Sequence, residues 1–187
     1  VPDWLWRRDA TGGSWDSLIV EALRQTSGDS TQTVLSPGQR YDRIIPPNGT
    51  ITRDHLLSLS GGYSTSVFSL PMTADGLRRL LERESDQCFD DPILLDNSKD
   101  LPRVAGVEWE CHYGTERGQR VKLRNASSER VISWSSRPDA PSGDPLWQIL
   151  ERYLLARDPK APLPPPPRAE LRFVDGHPGW HPKRRLS

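Results

Sequence analysis

The chain has 187 residues with 25 basic and 25 acidic side chains, so its formal net charge is zero. That balance removes the general electrostatic pull toward nucleic acid or an anionic membrane surface. An apolar content of 34%, beside 14 glycines and 18 prolines, fits one modest core with loops and extended ends.

Residues 1–13 read as a tail carrying two aromatic anchors, Trp4 and Trp6. Ser14 is placed to cap a helix, and Trp15, Leu18, Ile19, Ala22 and Leu23 follow at helical spacing, which predicts an amphipathic helix over 14–26. Ser27-Gly28 ends it. Residues 27–50 hold scattered Gly and Pro and read as a loop with one short strand at Thr33-Val34-Leu35. Leu57 and Leu59 then alternate with Ser58 and Ser60 and run into Gly61-Gly62. Glycine reaches φ > 0 without a Cβ clash, so this stretch predicts a hairpin across 52–70 with its tip at Gly61, Gly62, Tyr63 and Ser64. Pro71 ends the second strand. Thr73 can cap a helix to about Glu84, with Leu77, Leu80 and Leu81 on one face.

Asp86 to Pro102 is acidic and irregular. Val107, Trp109, Cys111 and Tyr113 alternate with Glu108, Glu110 and His112, the cleanest period of two in the chain. A loop at 114–118 leads to a partner strand through Val121 and Leu123, and a further turn leads to a third strand over 131–134. Glu108 and Glu110 are placed to pair across the strands with Arg120, Lys122 or Arg124. Asp144 and Pro145 open a helix whose stripe is Leu146, Ile149, Leu150, Tyr153 and Leu154, with Trp147 at its edge. Pro164 to Pro167 reads as a stiff polyproline spacer before a tail with Phe173, Trp180 and Lys183 to Arg185.

These elements predict an α+β fold: an antiparallel sheet of four to five strands with two helices on one face, plus an N-terminal helix and a Pro-rich C-terminal tail. The organisation expected is an N-terminal extension over 1–50, a core domain over 51–157 and a tail over 158–187. Trp109, Leu123, Leu150 and Leu154 are expected to be buried together.

Motifs for chemistry are scarce. Cys88 and Cys111 form neither a CxxC pair nor a disulfide framework. His177 and His181 stand four apart, but Pro178 and Gly179 oppose a helix there and no Glu lies between the histidines, so zinc is not expected. Asp86, Asp90, Asp91, Asp96 and Asp100 lack calcium-loop spacing. No phosphate loop, dinucleotide motif or serine elbow is present. Cys111 and His112 are adjacent in a strand and point to opposite faces, so a thiol–imidazole pair would require His55. The expectation is no catalytic residue, no metal and no cofactor. No run approaches the ~20 apolar residues of a membrane span, and no apolar signal region opens the chain. A cytoplasmic protein is the expectation, although a trimmed secreted form would look the same.

The segment from about 52 to 156 resembles the emfourin family, small bacterial proteinaceous inhibitors of thermolysin-like metallopeptidases. The resemblance lies in Leu57-Ser-Leu-Ser-Gly-Gly-Tyr-Ser64, the strand and Leu77, Leu80, Leu81 helix after it, the strand meander and the closing helix. It implies a binding protein without catalysis whose target is a protease. The reading is therefore a non-catalytic protein-binding module, a protease inhibitor in type, contacting another protein through Gly61, Gly62, Tyr63 and Ser64. The partner would be a metallopeptidase or a toxin, with neither nucleic acid nor membrane involved. Two alternatives stand beside it: a toxin-neutralising, immunity-type protein, and a small hydrolase using His55, Cys111 or Asp90 and Asp91.

Overall fold

The computed structural model describes residues 1–7, 12–28, 32–38, 42–62, 64–89, 100–112, 115–125, 129–165, 167 and 169–172. Among these, four helices and seven strands follow the order α1 (Ser14–Ser27), β1 (Thr33–Ser36), α2 (Arg53–Ser60), β2 (Ser66–Pro71), α3 (Ala74–Phe89), β3 (Arg103–Ala105), β4 (Glu108–His112), β5 (Val121–Arg124), β6 (Arg130–Ser135), α4 (Leu146–Ala156) and β7 (Glu170–Arg172). The strands form two sheets, one ordered β2-β6-β1-β3 and the other β5-β4-β7.

The first sheet is built around β1. All four of its residues are buried, as a strand covered on both faces requires. Val34 joins a core made by Leu18, Leu23, Ile132, Trp134 and Leu150. Its neighbour Leu35 joins a second core with Leu77, Leu81, Trp109, Cys111 and Val131. Successive strand residues point to opposite faces, so one strand feeds both cores. β1 runs parallel to β6 and antiparallel to β3. β4 likewise pairs antiparallel with β5 and parallel with β7. The α+β class therefore holds, while the sheets are mixed rather than wholly antiparallel.

Three expectations change. The hairpin over 52–70 is instead helix α2, a loop and strand β2. Thr52 is extended at the N-cap, and its side chain accepts from the His55 backbone N–H. Buried Leu56 and Leu59 are three apart, a helical spacing, which overrides the accidental Leu–Ser alternation. Gly61 then closes the helix in the left-handed region at φ 76, where a Cβ would be strained. The third strand of the expected meander, β6, leaves β4 and β5 and pairs with β2 and β1. Finally, Trp109 and Leu123 pack in one core, whereas Leu150 and Leu154 belong to the other.

Other readings carry through. Thr73 Oγ1 accepts from the Gly76 N–H at the head of α3. The β4–β5 register places Glu108 opposite Arg124 and Glu110 opposite Lys122, and Arg124 pairs with Glu110. Beyond those readings, residues 1–50 contribute fully shielded Leu5, Trp15, Leu18, Ile19 and Leu23 to the first core, together with Leu56, Ile132 and Leu150. No helix among the described residues is long and apolar enough to cross a membrane.

Candidate functional site

Strand direction decides which loops meet. Register sets Ser36 beside Arg103 and Ser66 beside Ser135. Since β1 and β6 are parallel, their carboxyl ends share one end of the sheet with the starts of β2 and β3. That end gathers residues 36–38, 61–62, 64–66, 100–103 and 135–137. Ligands of open sheets with parallel strands commonly sit outside the strand carboxyl ends, where loops diverge.

A buried charge network holds this rim. Asp16 lies in the first turn of α1, and its carboxylate accepts from Arg7 Nε at 2.9 Å, Arg103 Nε at 3.1 Å and the Gly13 backbone N–H at 3.0 Å. Arg7, Asp16 and Arg103 are all fully shielded from solvent. Arg7 also donates to the carbonyls of Pro37 at 3.0 Å and Leu59 at 3.3 Å, and its backbone N–H donates to Asp42 Oδ1 at 2.8 Å. Its guanidinium lies 5.5 Å from the Trp134 ring centroid. One side chain thus fastens the loop after β1, the end of α2 and the head of α1 to each other. Buried charges are tolerated when their hydrogen-bonding capacity is met in this way.

The loop after β1 is pinned further. The Asp100 N–H donates to the Gly38 carbonyl at 3.0 Å. A Cβ on Gly38 would stand 1.8 Å from the Asp100 carbonyl oxygen, so only glycine permits this approach. Trp134 Nε1 donates to Ser36 Oγ at 2.8 Å. After α2, Thr65 Oγ1 donates to the carbonyls of Ser60 and Gly62, at 2.8 and 3.0 Å, which fixes the turn leading into β2.

Of the residues expected to bind, Gly61, Gly62 and Ser64 lie on this rim, with Gly61 and Ser64 exposed. Tyr63 lies outside the described residues, as do Asp90, Asp91, His177 and His181. Gly62 N–H closes α2 on the Leu57 carbonyl at 2.8 Å. The rim is therefore a helix end beside a strand end, not a hairpin tip. The residues that build it, Arg7, Asp16, Gly38 and Arg103, do not stand out in the sequence. The available signal is Asp16 next to Trp15 in the first turn of a helix, together with Pro37-Gly38 directly after the Thr33–Ser36 strand.

The thiol and imidazole considered for catalysis do not converge. His55 Nδ1 accepts from the Thr52 backbone N–H at 3.0 Å and serves its own helix start. Cys111 is fully buried in the second core. Burial pushes its thiol up to about 11, outweighing the lowering by Ser85 and by Arg120. Such a thiol is a poor nucleophile near neutral pH. Among the described residues, no three His, Cys, Asp or Glu side chains come together to hold a metal ion.

No family model matches the chain, and no curated protein does. Solved structures do share its fold. The sulfate thiohydrolase SoxB of Thermus thermophilus, in complex with glycerol, superposes with a TM-score of 0.73 at 22% identity, over 91% of this chain and 34% of that one. A 5'-nucleotidase precursor, also from Thermus thermophilus, gives 0.66 at 14% identity, over 91% of this chain and 38% of that one. A putative 5'-nucleotidase from Staphylococcus aureus, in complex with alpha-ketoglutarate, gives 0.62 at 13% identity, over 88% of this chain and 37% of that one. The chain spans little more than a third of the length of each. This overturns the reading as a non-catalytic protein-binding module of protease-inhibitor type, since the architecture is one found as a portion of hydrolases.

Proposed function

We propose that this chain is the substrate-facing portion of a larger hydrolase that releases a small oxyanion, sulfate or phosphate, from its carrier. The observation that carries the reading is the fold shared with a sulfate thiohydrolase and two 5'-nucleotidases over about a third of their length. The rim at the carboxyl ends of β1 and β6 is the surface offered to substrate. Its exposed Gly61 backbone and Ser64, with Arg137 close by in the loop after β6, can contact a polar ligand. The bond-breaking groups belong to the remainder of such an enzyme, because the polar side chains of this rim are spent on holding loops together.

Backbone amide resonances of the isolated chain, titrated with sulfate and separately with adenosine monophosphate, test this. The expected result is saturable shifts at Gly38, Gly62 and Thr65 with no hydrolysis of the nucleotide. Response to one ligand and not the other identifies the oxyanion class. Shifts confined to other surfaces, or none at all with either ligand, would remove the rim as the substrate surface.

A further inference from the structure

At the end of the first sheet opposite the rim, a cleft of about 620 Å³ opens between the last turn of α1, α4 and the strands β2 and β6. Register sets Ser69 beside Ile132 and Pro71 beside Arg130 there, whereas Ser66 and Ser135 pair at the rim. Its size is within the roughly 300–1,000 Å³ common for small-molecule sites. The floor is apolar: Val67, Ile132, Ile149 and Tyr153 line it, and all four belong to the first core. The mouth is polar. Among the described residues its charged lining is Arg130, Arg152 and Asp144, and all three are exposed.

The backbone fixes Asp144 at this mouth. Its carbonyl accepts from the Val67 N–H at 2.9 Å, on the outer edge of β2. A Cβ on the preceding Gly143 would stand 1.8 Å from the Val67 carbonyl oxygen, so only glycine lets the chain lie this close. The Asp144 carboxylate accepts from Arg152 Nη2 at 2.8 Å, with the two side chains 62% and 60% exposed. An exposed pair of this kind is weakly held and exchanges partners readily in water. Arg130 donates to Ser69 alone of the cleft's side chains, from Nε to its Oγ at 3.1 Å and from Nη2 to its carbonyl at 3.3 Å. The last turn of α1, with Gln25 and Ser27, adds the partial negative charge of a helix carboxyl end.

We infer that this cleft binds a free α-amino acid with an apolar side chain. The mouth sets a carboxylate and a guanidinium side by side, and the two charges of an α-amino acid are likewise held close, on either side of a single carbon. The ligand docks head to tail on that pair. Its carboxylate meets Arg152 and Arg130, and its ammonium meets Asp144 beside the end of α1. Its side chain lies on the apolar floor. Two guanidinium groups against one carboxylate and a helix end leave the lining near balance. A ligand of one sign only therefore meets a like charge, whichever its sign. This inference does not depend on the hydrolase reading, and it concerns the opposite end of the sheet.

Backbone amide resonances of the intact chain, followed during titration with leucine, test it. The expected result is saturable shifts at Val67, Ser69 and Ile132. Isocaproate lacks the ammonium of leucine, isoamylamine lacks its carboxylate and glycine lacks its side chain. Each should bind at least roughly tenfold more weakly than leucine. Asp144→Asn and Arg152→Met, each with an unchanged thermal melt, should weaken leucine binding by a similar factor. Unmoved amides at these three positions would overturn the inference. So would an analogue that binds as tightly as leucine, or unaltered leucine affinity in both folded variants. Where a variant melts early, the analogue comparison on the parent chain decides alone.

Discussion

Arg7 and Asp16 face each other at 2.9 Å with both side chains fully shielded, and Arg103 completes the contact from the other side at 3.1 Å. The carboxylate is the shared anion between two guanidinium groups. Asp16→Asn keeps the shape and removes the charge, so Arg7 stays buried without its carboxylate, while Arg103 keeps its pairing with Asp100 at 3.6 Å. Breaking a buried pair in this way costs about 3–5 kcal/mol. Urea unfolding of the variant should show a loss of that size. A loss below about 1 kcal/mol would show that the network does not hold the rim together.

Gly38 makes a sharper demand on the same rim. Gly38→Ala forces a Cβ into the Asp100 carbonyl, so the loop after β1 must separate from the segment leading into β3. Overpacking of this kind costs about 1–3 kcal/mol. Gly28→Ala is the control, since its Cβ would meet open space and only its φ of 67 is strained, at roughly 1 kcal/mol. Thermal melts should place Gly38→Ala several degrees below Gly28→Ala. Equal melting temperatures would mean that the close approach at Gly38 costs no more than the left-handed φ at Gly28.

Cys111 gives the chain a signature in alkali. Its thiol is raised from 9.0 to about 11 by burial, so the folded state holds a proton that the unfolded state releases first. Stability from this group is complete below about pH 9 and is lost as pH rises from 9 toward 11, up to roughly 2–3 kcal/mol. The alkaline slope of unfolding free energy should be shallower in Cys111→Ala than in the parent. An identical slope in both would show that the thiol is not the group responsible.

The division of the interior into two cores predicts independence. Leu150 is fully buried in the first core and Leu81 in the second. Leu150→Ala and Leu81→Ala should each cost about 2–5 kcal/mol. Because the two share no core, the double variant should lose the sum to within about 0.5 kcal/mol. Coupling well above that would mean that the sheet between them transmits packing.

Local patterns are legible in the sequence. The helices at 14, 74 and 146 and the β4–β5 pairing depend on periodicity within a few residues, and each is present, although Gly13 and Pro145 rather than Ser14 and Asp144 stand at the N-caps of α1 and α4. The α2 segment misleads because a helix of eight residues is too short for its period to outweigh an alternating Leu–Ser accident. The parallel pairing of β1 with β6 leaves no local trace, since its partners lie far apart in the chain. The rim is equally hidden. Arg7, Asp16 and Arg103 look like ordinary surface charges until the topology buries them, and Gly61 and Gly62 suggest a hairpin turn where the chain makes a helix end.

The position of β1 has a consequence for how the polypeptide acquires its structure. Its neighbours on either side are supplied only by β3 and β6, much later in the chain. A nascent polypeptide that has reached α3 therefore displays the Thr33–Ser36 strand with both hydrogen-bonding edges unsatisfied. Contacts of long sequence separation form slowly, and unpaired strands recruit other chains meanwhile. Fragments ending before Arg130 should accumulate as aggregates rather than as partly folded monomers, and synthesis in the cell should depend on chaperones that shield β1 until β6 emerges.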